Sequence, residues 1–525
     1  MLPYLTEVRS ASKKYSVVFR GLNYGEGAQD GEFAETYNLS TDSYPCITQR
    51  AERIMAGQYA LPYSLHAKGN LLVIDERLDD DGKPTGTANV FYGGNPDPIG
   101  EVTSGNKQTA TIGNYIVIFP DKKYYKVPTE DDKDGEFGSM DVEFKATGLK
   151  FTASTISQTG ANFPFREGDA VTITGCSNSG NNKTAEIIIR NATPDELTFD
   201  DNAFTVVNNE ENEVTISRNV PDLDFICDSN YRLWGTHDNT IYSSKFSDPF
   251  NFQVFDGLAS DSYAIEVGSE GEFTGCIPYS SHICFFKENT LHKLYGTKPS
   301  NFQITTVNVY GVQSGSEKSM QIVNEQLLYK GVGGVYAYTG GIPELISEKF
   351  GNMRYSDAVA CCDGEKYYIS MKQGDTYNMF TYDVSKNIWL REDDTRAVDM
   401  AFFDGKVYFL DAEGGLYYID KTADRSDIEW GATFCTMHET MNERKGYSKF
   451  HLRMDLSAGA WLSVDIKTDN DLQWRQVYTT HNEKAKTVSI PIMPTRCDSI
   501  DIRLRGKGKC TIKTFIREFT VGSDV

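Results

Sequence analysis

Apolar residues recur along the chain in one repeated form: a short aromatic-rich run, a turn, and a second run ending in an aromatic pair. Residues 71–74 lead to 90–92, and 115–119 turn at Pro120-Asp121 into Tyr124-Tyr125. The runs 232–234 and 283–286 turn at His237-Asp238-Asn239 and Glu288-Asn289 into Ile241-Tyr242 and 291–295. Later copies are 327–329 turning at Gly333-Gly334 into 335–338, 366–370 leading to 379–382, and 406–410 turning at Glu413-Gly414-Gly415 into 416–419. Aromatic and β-branched runs bounded by Gly, Asn and Asp predict a β-hairpin at each site.

Spacing turns these hairpins into an architecture. With Leu72, Ile116, Leu233, Ile283, Leu328, Tyr367 and Tyr408 as markers, successive offsets are 44, 117, 50, 45, 39 and 41 residues. Five of the six lie near the roughly 40–50 residues of one four-stranded propeller blade. The exception exceeds one blade by about 70 residues, which predicts a second domain interrupting the array. The expected fold is therefore all-β, a β-propeller of about seven blades with an inserted small β-barrel or sandwich domain and a C-terminal β-sandwich.

Blades occupy 61–134 and 218–425, the insert 135–217 and the C-terminal antiparallel sandwich 426–525. An N-terminal arm, 1–60, either completes the last blade by strand exchange or reaches a neighbouring subunit. The insert reads as short alternating strands broken by Gly, Asn and Asp, entered through the acidic run 130–136. Longer alternating runs at 449–455, 460–466, 486–492 and 499–504 mark the sandwich. Helical signal is thin, and 48–56 and 424–428 are expected to be at most short turns.

Composition supports the β reading. The 525 residues include 30 Tyr, 29 Phe and 45 Gly but only 5 Trp, a supply suited to half-buried strands and tight turns. Acidic residues number 74 against 52 Lys plus Arg, a formal charge of -22, which argues against a protein built to grip nucleic acid. None of the ten cysteines forms a Cys-x-x-Cys pair, so buried free thiols in a reducing cell are expected. No apolar stretch approaches the roughly 20 residues of a spanning helix, and assembly in a cytoplasm is expected.

Catalytic chemistry is largely missing. The sequence lacks a phosphate-cradling Gly-x-x-x-x-Gly-Lys loop and a Gly-x-Ser-x-Gly elbow, and His438-Glu439 lacks the second His of a zincin. The basic stretch 503–509 reads as a hairpin with exposed cations. Glu130, Asp132, Asp134, Gly135 and Asp141 have calcium-loop-like spacing without flanking helices, so a hydrated linker is the default and a cation near Asp132 and Asp134 stays open. No catalytic, cofactor or metal residues are assigned. Gly333-Gly334, Gly340-Gly341 and Gly414-Gly415, with Tyr382-Asp383 and Trp389, follow a kelch-like pattern that serves blade turns and packing. A carbohydrate-active or kelch-like binding propeller is the alternative reading.

Several ordered stretches carry a resemblance. They are Asn38-Leu39, Asp42-Ser43-Tyr44-Pro45, Arg50-Ala51-Glu52-Arg53, Arg232-Leu233-Trp234-Gly235, and the runs 247–252, 268–276, 315–319 and 455–464. Together they resemble the propeller-type tail hub or nozzle ("stabilization") proteins of tailed bacteriophages, over most of the chain from about residue 20. The resemblance implies a non-enzymatic virion protein: a ring of six copies below portal and adaptor proteins, docking fibres or a tail tip. Genomic DNA would pass through its lumen without specific binding. An acidic lumen fits that role, because it repels phosphate.

Overall fold

The computed structural model describes residues 11–522, apart from residues 26, 131, 424–426, 440–442, 470, 483, 485, 494 and 495. Residues 1–10, Asp131 of the acidic run and 424–426 of the second expected turn thus lie outside the described residues. The all-β expectation holds: regular elements among the described residues are β-strands and short 3-10 turns. No helix among them is long and apolar enough to cross a membrane.

Two units make up the chain: residues 60–317, and residues up to 59 together with those from 318 onward. In the first unit, antiparallel four-stranded sheets span 62–103, 108–139, 225–266 and 273–308. In the second, such sheets span 321–345 and 356–393, and a third combines 397–420 with Glu52–Gln58 from the N-terminal arm. These are numbered first to seventh below, in chain order. The hairpins expected from the alternation all pair, for example Leu72 opposite Tyr92 and Tyr367 opposite Tyr382.

The central strands are continuous apolar runs because both of their faces are covered. In Tyr115–Phe119, Ile116 and Ile118 pack with Leu72 and Ile74 of the first sheet. Val117 and Phe119 point the other way, into a core with Leu233 and Phe250 beyond the insert. Tyr367 and Ile369 join Leu328 and Val335 of the fifth sheet, whereas Tyr368 joins Val407 and Phe409 of the seventh. Within each unit, first strands of successive sheets lie side by side, as do Phe225–Ser229 and Phe273–Tyr279. The cores therefore fill the gaps between sheets, and alternate side chains of one strand serve different gaps.

Three local expectations are corrected. Residues 48–56 are not turns: Ile47–Gln49 and Glu52–Gln58 are strands, and the latter pairs with Gly415–Asp420 as the fourth strand of the seventh sheet. At that edge Tyr59 donates to the Gly414 carbonyl at 2.8 Å. Gly414 has φ +91°, and a Cβ there would meet the Tyr59 oxygen at 2.1 Å. Second, the basic stretch 503–509 is not a hairpin, since Ile500–Lys507 and Cys510–Val521 belong to different sheets. Third, Glu136–Ser139 pairs with Lys123–Lys126, so the insert's own sheets begin at Val142 rather than at 135. That insert folds as two sheets around Phe151, Ile156, Val171, Ile173, Leu197 and Ile216.

The C-terminal part forms two facing sheets, both completed by the arm. Ser12–Ser16 and Ile47–Gln49 pair with Cys510–Val521, while Glu32–Tyr37 pairs with Glu429–Phe434. Ile388 and Leu390, from the outer strand of the sixth sheet, insert into the same core as Phe33, Leu39, Phe434 and Phe450. Leu390→Ala is therefore expected to cost about 2–5 kcal/mol. Hydrogen exchange should rise together in the sixth sheet and in the C-terminal sheets; a rise confined to either one would break the link between them.

Candidate functional site

The residues singled out for metal or acid chemistry do not converge. Asp132 accepts from Lys126 Nζ at 2.5 Å, and this bond holds its carboxyl below the ordinary value. Asp141 instead accepts from the Val220 amide at 2.6 Å, while Gly135 lies against the Tyr125 hydroxyl and Glu130 and Asp134 are exposed. Among the described residues no group of three or more His, Cys, Asp or Glu is arranged to hold a metal ion. Glu439 is taken by Arg517 at 2.7 Å and Lys14 at 2.8 Å, with His438 beside Asp498. No disulfide links the ten cysteines, and eight of them are buried. Of the kelch-like residues, Tyr382 stacks on Trp389 at 4.5 Å, and the Trp389 indole donates to the Ile346 carbonyl. Their role is packing.

What the structure does assemble is a pair of buried polar junctions, one in each unit. The first fastens the N-terminal arm. Arg53 Nη1 donates to Asp393 Oδ2 and to Thr395 Oγ1, and Nη2 to Glu392 Oε2, each at 2.7 Å. Thr381 Oγ1 donates to the other Glu392 oxygen at 2.5 Å, and Arg53 lies 5.2 Å over the Phe409 ring. Burial disfavours the Arg53 charge, but Asp393 and Glu392 outweigh it and hold the guanidinium above its ordinary pKa. Burial likewise pushes the Asp393 carboxyl up, and Arg53, Thr395 and Arg50 override it to leave the pKa depressed. Arg50 donates to Asn38 Oδ1 at 2.6 Å, and the Asn38 amide donates to the Glu392 carbonyl at 2.7 Å. Thr41 Oγ1 reaches Asp383 at 2.6 Å, and Lys366 donates to Ser40 and pairs with Asp42.

The second junction holds the insert to the third sheet. Arg218, at the end of Val214–Arg218, donates to Asp169 Oδ2 at 2.8 Å and to the Met140 carbonyl at 3.1 Å. Asn251 donates to Asp169 Oδ1 at 2.9 Å and to Asp248 at 2.6 Å, and its own oxygen accepts from the Ala170 amide. The Phe250 ring lies beneath the guanidinium of Arg218 at 5.3 Å and that of Arg166 at 5.8 Å. Arg232, wholly buried, fixes the same loop by donating to the carbonyls of Ser244, Ala259 and Asp261.

Arg50, Arg53, Arg232 and Asn251 fall in the stretches that carry the resemblance, but Glu392, Asp393, Arg218 and Asp169 bear no sequence motif, and partners lie up to about 340 positions apart, as for Arg53 and Asp393. A usable signal was present: Arg, Asp and Asn clustered at positions flanked by apolar runs, where charge is costly unless paired.

Removing one partner of a buried pair costs about 3–5 kcal/mol. Arg53→Met is expected to destabilise the unit holding the arm by that amount. Arg53→Lys should recover little, because a point charge cannot bridge two carboxylates with a planar fork. The depressed Asp393 contributes stability that is complete above the unfolded aspartate pKa of about 3.9 and lost as pH falls through the folded value. Denaturant midpoints should therefore fall below about pH 4, and the fall should be smaller in Arg53→Met. Asp169→Ala is expected to release the insert, with limited proteolysis cutting near 140 and 219 while the third sheet stays protected; unchanged cleavage there would refute the junction.

No protein-family model matches the sequence, and no curated protein matches it. Among solved structures, BamB from Moraxella catarrhalis is similar over 72% of this chain and 99% of that one, at 11% identity and a TM-score of 0.36. Phage phi92 endosialidase is similar over 71% of this chain and 70% of that one, at 11% identity and a TM-score of 0.27. The N-terminal domain of Nup159 is similar over 77% of this chain and 99% of that one, at 9% identity and a TM-score of 0.25. Likenesses at these scores assign no function to the chain.

Proposed function

We propose that the seven four-stranded sheets are the blades of one propeller, and that the protein is a structural component of a bacteriophage tail, the hub or nozzle ring. In this reading six copies surround the DNA-exit channel below the portal and adaptor, and carry fibres or the tail tip. The ring belongs to the virion and is assembled in the host cytoplasm. It performs no reaction.

One observation carries the reading. Several of the stretches that resemble tail hub proteins serve as fasteners: Asn38 to Arg53 ties the arm to the sixth and seventh sheets, Asn251 within 247–252 ties the insert to the third, and Arg232 braces the loop that carries Asn251. Residues used in this way transmit load between parts, which is what a connector needs. The adjacent carboxylates Glu392 and Asp393 are engaged by Arg53, which suits a structural role for them better than acid–base work. The net charge of -22 supports a lumen along which a polyphosphate slides without adhering.

Negative-stain imaging and light scattering of the purified protein, with and without a portal–adaptor complex, test this. Six-membered rings are expected on the complex, whether or not they form alone. A protein that stays monomeric and does not bind the complex would overturn the reading. Release of sugar from host surface glycans, lost when a carboxylate is replaced, would move it to the carbohydrate-active class.

A further inference from the structure

The C-terminal sheet that contains Glu429–Phe434 and Ile500–Lys507 has one face on the core and one turned away from it. On the outer face lies a cavity of about 260 Å³. Strand pairing builds it in rows. Tyr37 is opposite Gly431, which is opposite Arg505; Glu35, Thr433 and Arg503 form the neighbouring row; Glu429 and Trp461 flank Lys507 in the third. Gly431 supplies the floor. A Cβ there would find its nearest atom at 3.6 Å, so the space above it is open because no side chain fills it.

Both arginines on its wall are fixed from behind. Asp465, 1% exposed, accepts on Oδ2 from Arg503 Nε at 3.1 Å and Nη2 at 2.9 Å, and from Arg505 Nε at 2.7 Å. Arg503 also lies 4.4 Å over the Trp474 ring. Asp465 Oδ1 and Ser463 Oγ are buried with no hydrogen-bond partner among the described residues, so this corner keeps unused bonding capacity. Tyr37 is 40% exposed and Trp461 half-buried, which leaves two aromatic surfaces at the rim.

We propose that this cavity is a saccharide-binding site that takes one pyranose ring of a glycan. A pyranose presents an apolar C–H face and a belt of neighbouring hydroxyls. Aromatic side chains match the first, and carboxylates and preorganised guanidinium groups bond the second in pairs. The volume is below the roughly 300–1,000 Å³ of pockets for drug-sized ligands, which suits a single ring. A peptide fits less well: Glu429–Phe434 and Ile500–Lys507 are interior strands, so strand addition is closed here. A nucleotide's phosphate would meet Glu35 and Glu429 as well as Arg503 and Arg505 in the same lining, so competition with an oligonucleotide separates it from a sugar.

The full-length protein is to be applied to an array of hexose-, N-acetylhexosamine- and uronate-containing oligosaccharides, and the hits titrated by calorimetry and tryptophan fluorescence. Saturable binding with a fluorescence change is expected. Trp461→Ala and Tyr37→Ala should each weaken it by about tenfold. Gly431→Val, which fills the floor from a position with room for its Cβ, should abolish binding without lowering the melting temperature. Should Gly431→Val prove unstable, the two aromatic variants decide. No binding to any sugar, binding unaffected by these variants, or displacement of a bound sugar by a single-stranded oligonucleotide or peptide would overturn the proposal.

Discussion

A guanidinium taken out of water must find an anion, and at Arg53 that requirement organises a large part of the unit. Its side chain is 9% exposed, between Glu392 and Asp393. Burying the guanidinium without these carboxylates, or the carboxylates without it, would leave an uncompensated charge in the interior. The pair forms only when Glu52–Gln58 has joined the seventh sheet and Ile388–Asp393 has joined the sixth. Without the arm, the seventh sheet would expose the unpaired edge of Gly415–Asp420. The same strand thus closes a hydrogen-bond ladder and delivers a charge, and the charge makes the register of that closure specific. A one-residue slip would turn Arg53 to the other face of its strand.

How much of this was legible in the sequence follows from how local each signal is. Hairpins such as 366–370 with 379–382 are pairs of adjacent segments, so their alternation and turns lie within one window and were read directly. Arm strands such as Ile47–Gln49 pair with residues beyond 510, and a three-residue segment bears no periodicity of its own. Glu52–Gln58 is longer, but its partner Gly415–Asp420 is equally remote along the chain, so 48–56 shows no local hairpin and reads as turns. The stretch 503–509 was misjudged for a related reason: alternation marks two strands and a break, but a break that crosses between facing sheets has the same residue pattern as a hairpin turn. Asp465 was invisible as the anchor of Arg503 and Arg505 because its pairing depends on strand order, which local pattern does not encode.

Mechanical continuity arises where cores are shared instead of adjoining. Ile388 and Leu390 belong to the sixth sheet by their backbone and to the C-terminal core by their side chains. The adjacent Trp389 faces the opposite way, into the core shared with the fifth sheet. Alternation within three consecutive residues therefore locks two bodies together, and neither can rotate against the other without opening a cavity on both sides of one strand. The insert is held differently, through the polar node at Asp169 and Asn251 and an exposed bridge from Arg190 to Asp256. Polar nodes are directional, so they fix orientation more than they add affinity. An apolar seam for the C-terminal part and a polar one for the insert divide the chain into a stiff attachment and an oriented one.

Internal pairing also decides what the exterior presents. Acidic residues outnumber Lys and Arg by 74 to 52. Arg53 with Glu392 and Asp393, Arg218 with Asp169, and Lys107 with Asp121 withdraw cations from the surface together with their partners. The one-to-one ties, Arg218 with Asp169 and Lys107 with Asp121, leave the exterior's net charge unchanged but remove a larger fraction of the scarcer cations than of the acids, whereas Arg53 takes two carboxylates inside with it. Phosphate binding requires clustered cations that release counterions, and a chain that spends its arginines on internal fastening has fewer left to cluster. For a conduit, rigidity and a non-adhesive wall would then come from one allocation of charge, with no residue dedicated to either.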